Sequence, residues 1–268
     1  MRKKTIFKVE TGKLILAVLF LALTGFLVIY FDEYNDFDSG LGITVFLSLW
    51  AIGRGVIFYF VYTFVFTITI LNRFYNYHYS GFSKSIIQRI GYDEYCKKSL
   101  NTIMSGAFLL SLMTNLVLLL VIHFCWSDIS FLPDSSLGFF SSNALVDLLS
   151  FLVLAAVGNA LYSAFLYFCI PYFKNKFVYQ GIILISTFVL IYVAVFLGGF
   201  VLLPLGFLLK NNDIPQALAC SVIPLSLLAP GSMFEMHGYL DFLCAVIFYG
   251  SLATVIFKKG KQKFLENG

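Results

Sequence analysis

Residues 83–126 read SKSIIQRIGYDEYCKKSLNTIMSGAFLLSLMTNLVLLLVIHFCW, and the join inside this stretch decides the fold. Its last part, 103–126, carries no charged side chain, and a bilayer core needs about 20 apolar residues of helix to cross it. Its first part is short, basic and periodic. Over 83–90, Ile86, Ile87 and Ile90 share one helical face, with Lys84, Gln88 and Arg89 on the others. Ser83 is the expected N-cap and Gly91 the expected stop. Asp93 and Glu94 then favour a second helical start before the crossing.

Other stretches repeat the apolar pattern. Residues 14–31, 55–72, 148–173, 177–209 and 242–257 also lack charged side chains. With 60% hydrophobic residues, the chain has too little polar surface for a water-soluble globule of 268 residues. Helices satisfy their own backbone in lipid, so the expected class is an all-α polytopic membrane protein.

The segments between the runs orient it. Arg2, Lys3, Lys4, Lys8 and Lys13 precede the first run, and Arg73, Lys84, Arg89, Lys97 and Lys98 lie between the second and third. Lys174 and Lys176 separate the fourth and fifth, and Lys258, Lys259, Lys261 and Lys263 follow the sixth. Of the 18 Lys and Arg, only Arg54 and Lys210 fall elsewhere. The alternate connections carry Asp32, Glu33, Asp36, Asp38, Asp128, Asp134, Asp213 and Glu235 instead. Because Lys and Arg are retained on the cytoplasmic side, both termini are expected inside and the number of crossings even. No small-residue cleavage site follows 14–31, so that run reads as a retained first span. The net charge of +4 reflects this basic rim, which faces anionic lipid, and is no sign of nucleic-acid binding.

One run is too long for one crossing. Residues 177–209 would make a straight helix of about 50 Å, against a hydrocarbon core of about 30 Å. Gly198, Gly199 and Pro204 supply the break. Counting 214–234 as a seventh span would place Lys258 and its neighbours outside, and Pro215, Pro224 and Pro230 oppose a continuous helix there. The reading adopted is a re-entrant excursion over 198–237 that enters the outer leaflet and returns. The six expected spans are 14–31, 50–72, 103–126, 148–173, 177–197 and 238–257, with a cytoplasmic segment at 83–95, all in one transmembrane domain over 1–268.

Taken together, the sequence SKSIIQRIGY at 83–92, the excursion, the Gly238-Tyr239 start of the sixth span and the closing FKKGK at 257–261 resemble the membrane subunits of type-2 ATP-binding-cassette exporters. The resemblance covers essentially the whole chain, although the Leu-Pro-x-Ser/Thr-Arg pattern common in the connection is absent. It implies a permease whose coupling helix docks on a separate ATPase through Ile86, Ile87, Gln88, Arg89, Ile90, Tyr92, Asp93 and Glu94. It further implies two ATPase copies holding ATP and magnesium, and pairing with a second permease, identical or different. No Gly-x-x-x-x-Gly-Lys-Ser/Thr loop occurs in this chain, so no cofactor is expected within it and it is not itself an enzyme. The implied cargo is amphipathic or hydrophobic, such as a peptide, an antibiotic or a lipid, moved for export or for immunity to a peptide toxin. Abundant Phe, Ile, Lys and Asn give the compositional look of a low-GC bacterium, and the resemblance implies a bacterial cytoplasmic membrane.

Isolated polar residues have bland and functional readings. Arg54 falls at the outer interface, where it snorkels or pairs with Asp147; alternatively it faces the subunit interface and meets an anionic group of the cargo. Asn115 and Asn159 lie within spans and are expected to hydrogen-bond a neighbouring helix, with cargo contact second. His78, His123 and His237 are too scattered for a metal site, and the five cysteines form no Cys-x-x-Cys pair. The rival readings are a channel or accessory membrane protein, which would not need the docking helix, and an intramembrane enzyme. For the latter, the Gly-x-Ser-x at Gly81-Phe82-Ser83-Lys84 lies in the basic connection and not within a span, and the glutamates stand singly.

Overall fold

The computed structural model describes residues 10–31, 42–50, 56–131, 139–202, 213–231 and 238–267. They are predominantly helical, with no strand among the described residues. In chain order the helices are α1 (Thr11–Tyr30), α2 (Gly42–Trp50), α3 (Val56–Ile70), α4 (Asn72–Tyr79), α5 (Phe82–Ile90), α6 (Tyr92–Cys125), α7 (Ala144–Cys169) and α8 (Lys176–Phe196). A π-helical turn, Leu197–Leu202, ends α8; then come α9 (Asp213–Cys220), α10 (Leu225–Leu228) and α11 (Gly238–Asn267).

Four helices are long and apolar enough to cross a membrane: Thr11–Tyr30, Tyr92–Cys125, Ala144–Tyr172 and Gly238–Gly260. A fifth is added if Ile57–Ile70 and Asn72–Tyr79, which meet at a 47° bend, count as one broken span. On α1, Ala17, Val18, Leu21 and Ala22 are buried while Leu16, Leu19, Phe20 and Leu23 are exposed. A helix that is apolar on its buried and its open face alike is suited to lipid and costly in water, so the bundle fits a multi-pass membrane protein.

Local signals set the helix ends. Asn143 and Asn175 cap α7 and α8, each accepting from two backbone N–H groups with its side-chain oxygen. Gly81 and Gly91 stand at φ 72° and 82°, where a Cβ is disfavoured, and so part α4, α5 and α6. One boundary differs from the expectation. The helix α5 begins at Phe82 after Gly81, and Ser83 lies inside it, fully buried, rather than capping it. The helix α6 begins at Tyr92, at the second helical start expected from Asp93 and Glu94, which lie in its first turn, and it runs on unbroken into the apolar run from 103, with a Glu94–Lys98 pair at 2.6 Å supporting the next turn. Its 34 residues span about 51 Å, well beyond a hydrocarbon core of about 30 Å, so its foot projects.

The hairpin α6–α7 is the centre of the bundle; α1 packs on α6 and on α3, α3 on α8, and α11 on α7. Contacts at the two ends sort the connections. At one end Arg73 approaches Glu10, Tyr75 bonds the Lys174 carbonyl, and the Tyr92 ring stacks on Phe257, which also meets Phe168. At the other, Gly42 N–H bonds the Asp128 carbonyl, and Phe140 packs on Tyr239. The described basic connections thus gather at one end of the bundle.

The segment from α9 to Gly231 packs inside. Residues 219–231 are all buried, against α7 and α11. Gly158 permits this: a Cβ there would stand 1.9 Å from the Leu227 carbonyl oxygen. Gly158 lies 14 residues into α7, about 21 Å from its start, so α10 reaches deep into the bundle.

Candidate functional site

The arm formed by α4, α5 and the foot of α6 hangs from the basic end. Tyr75 and Tyr79 fasten it, their hydroxyls donating to the backbone carbonyls of Lys174 at 2.7 Å and Ile170 at 3.1 Å. The Tyr75 ring also stacks on Tyr179 at 5.2 Å. Sequence reading missed these two tyrosines, although their spacing of four residues puts them on one helical face.

The apolar face of α5 does not stand free. Ile86 is 8% exposed within the protein's own core, and Ile87 and Ile90 pack partly buried against it. Ile86 thus belongs to the bundle and is not offered to a partner, contrary to the expectation, and the inward packing fixes the arm. The opposite surface carries Lys84, Gln88, Arg89, Asp93 and Glu94, all exposed. Arg89 lies in the last turn of α5, and Asp93 and Glu94 in the first turn of α6, each at the helix end its charge favours. Lys98 hydrogen-bonds Glu94 and holds its carboxyl below the usual range. Tyr92 is half-buried, its ring 6.3 Å from that of Phe257, and burial pushes its phenol well up.

The arm therefore presents a ridge with cations on α5 and acids on the foot of α6, the two joined by one turn at Gly91. It can transmit a push along α6, because a packed helix moves as a rigid element.

A second cluster sits in the middle of the bundle. Asn159 is fully buried and links three elements. Its amide donates to Ser111 Oγ on α6 at 3.1 Å, to the Ala155 carbonyl at 2.7 Å and to the Leu228 carbonyl at 3.4 Å. Its oxygen accepts from the Tyr62 hydroxyl at 3.1 Å. Asn115, also buried, donates to the Ser111 carbonyl of its own helix at 3.0 Å. Tyr62 and Ser111 carry no sequence signal of this role, since nothing in their spacing points to residue 159. Arg54, the remaining predicted polar residue, lies outside the described residues, and the Asp147 carboxylate accepts from the Phe140 N–H at 2.8 Å.

Among the described residues no group of three His, Cys, Asp or Glu is placed to hold a metal ion. No family model, no curated protein and no solved structure matches this chain.

Proposed function

We propose that this chain is the membrane subunit of an ATP-driven exporter of the type-2 ATP-binding-cassette class in a bacterial cytoplasmic membrane. The observation that carries the reading is the arm: a short helix between two membrane helices, its apolar face locked to the bundle and its charged ridge exposed. A lipid-lying connector would turn its apolar face outward, whereas a partner-binding one presents polar groups in a fixed register.

In this reading α1, α3, α6, α7, α8 and α11 are the six spans, and the 21 residues of α8 supply the fifth. The basic end faces the cytoplasm by the retention of Lys and Arg. The segment 198–237 is the outer excursion. Two ATPase subunits, loaded with ATP and magnesium, close beneath a pair of permeases, either two copies of this chain or this chain with another. Their closure acts on Gln88, Arg89, Asp93 and Glu94 and moves α6, which changes the exposure of a cavity between permeases. An amphipathic or hydrophobic cargo suits walls of this composition.

Purification from native membranes tests the proposal. The expected result is a complex containing a chain with a phosphate-binding loop and vanadate-sensitive ATP hydrolysis. Arg89→Glu should release that chain while leaving membrane insertion and melting temperature unchanged. A preparation that hydrolyses ATP without a second chain, or an Arg89→Glu variant that keeps its ATPase, overturns the reading.

A further inference from the structure

The basic end holds a cavity of about 630 Å³ between α1, α3, α4 and the foot of α6, apart from the arm's exposed ridge. Its long wall is apolar, with Leu16 and Phe20 of α1 opposite Val65 and Ile68 of α3. Leu16 is 70% and Phe20 50% exposed, so this wall is continuous with the open apolar surface of the bundle. From Lys13 to Phe20 the slot runs about 10 Å along α1.

The end wall has the opposite chemistry. The 47° bend between α3 and α4 carries Arg73 and Tyr77 across the end of the slot, beside Lys13 and Glu10 of α1. Arg73 Nε donates to the Tyr77 hydroxyl at 2.6 Å, and its guanidinium stands 5.1 Å from that ring and 3.7 Å from the Glu10 carboxylate. Lys13 pairs with the same carboxylate at 2.6 Å. Two cations therefore share one acid. Asn72 also lines the cavity, and its side-chain oxygen is a buried acceptor with no hydrogen-bond partner among the described residues.

An apolar slot that opens sideways and ends in a net positive cluster fits an amphiphile with an anionic head. Guanidinium and phosphate match in bidentate geometry, and a carboxamide acceptor calls for a donor on the same ligand. A phosphate carrying a glycerol hydroxyl supplies both. We propose that the cavity binds an anionic glycerophospholipid, its phosphate on Arg73 and Lys13, its headgroup hydroxyl on Asn72, and an acyl chain between α1 and α3. Glu10 is the internal counter-ion that the phosphate displaces. The site needs the basic end at the level of lipid headgroups, and it does not depend on the exporter reading.

The test is native mass spectrometry of the delipidated full chain in detergent, titrated with phosphatidylglycerol or phosphatidylcholine of equal chain length. Phosphatidylglycerol should bind in a first, preferred stoichiometry, and excess inorganic phosphate should not displace it. Arg73→Gln should weaken this binding about tenfold, the size of one charge-assisted hydrogen bond. Thr69→Phe, which fills the slot from α3, should abolish it. Glu10→Gln should strengthen it, a gain that misfolding does not mimic. Equal retention of the two lipids, full displacement by phosphate, or wild-type binding by both Arg73→Gln and Thr69→Phe overturns the proposal.

Discussion

Between α3 and α6 the chain turns through α4 and α5, and between α8 and α11 it turns through a π-helical segment, α9 and α10. The first departure keeps a charged surface in the open, while the second is buried over 219–231. In the arm, glycines at positive φ end the helices and exposed charges stabilise their termini, because water satisfies the remaining backbone groups. Inside the bundle, side-chain donors from the surrounding helices and from the segment itself do that work. Tyr249 donates to the Val222 carbonyl at 2.7 Å, Ser226 to the Cys220 carbonyl at 2.8 Å, and Asn159 to the Leu228 carbonyl. The dry break also uses a positive-φ glycine, Gly231 at φ 84°, but adds buried side-chain hydrogen bonds where the wet break leaves the backbone groups to water.

This contrast is open to attack by substitution. The largest effect is expected at Gly158: Gly158→Leu drives a side chain into the Leu227 carbonyl and should cost more than about 4 kcal/mol, seen as loss of monodisperse protein in detergent. By comparison, Gly81→Ala meets open space and pays only for left-handed backbone, about 1–2 kcal/mol in the melting curve. Ile86→Asp buries an unpaired acid beneath the arm and should destabilise by about 3 kcal/mol, with new protease cutting at α5 if the arm detaches first. An unchanged digestion pattern would argue against the inward packing of this helix.

Smaller effects separate the buried donors. Asn159→Leu removes the link between α6, α7 and α10 and should cost about 1–2 kcal/mol, whereas Asn115→Leu, whose observed bond lies within its own helix, should cost less. Reversal of that order would show that the central cluster depends on residue 115. Tyr249→Phe removes one hydroxyl and should lower stability by about 1 kcal/mol, with faster hydrogen exchange around α9 and α10. Smallest is the exposed ridge. A carboxyl held low contributes stability at pH above the ordinary carboxylate range and loses it as pH falls through the lowered value. Glu94→Gln should therefore lower the melting temperature only slightly at pH 7, because the pair is exposed, and the difference from the parent should close as pH falls through the lowered value.

What the sequence determined by itself is the environment of each segment. Uncharged runs of about 20 residues select helices that lipid tolerates, and the alternation of Lys- and Arg-bearing connections with acidic ones anticipates the gathering of basic segments at one end. The same local logic marks Gly91 as a stop, and the structure ends α5 there. Tertiary structure decided which way each helix faces. On a membrane helix the lipid-facing and protein-facing residues are both apolar, so the pattern that orients a helix in water is missing, and only packing reveals that Gly158 admits Leu227 or that Tyr62 meets Asn159. The amphipathic α5 did show an apolar face, yet Ile86 turns inward because the bundle offers its own apolar surface there, a fact that nine residues of local sequence do not contain. The cavity is further from reach still, since it exists only where a bend after Ile70 swings Arg73 and Tyr77 beneath a slot formed with a helix that lies some 50 residues earlier in the chain.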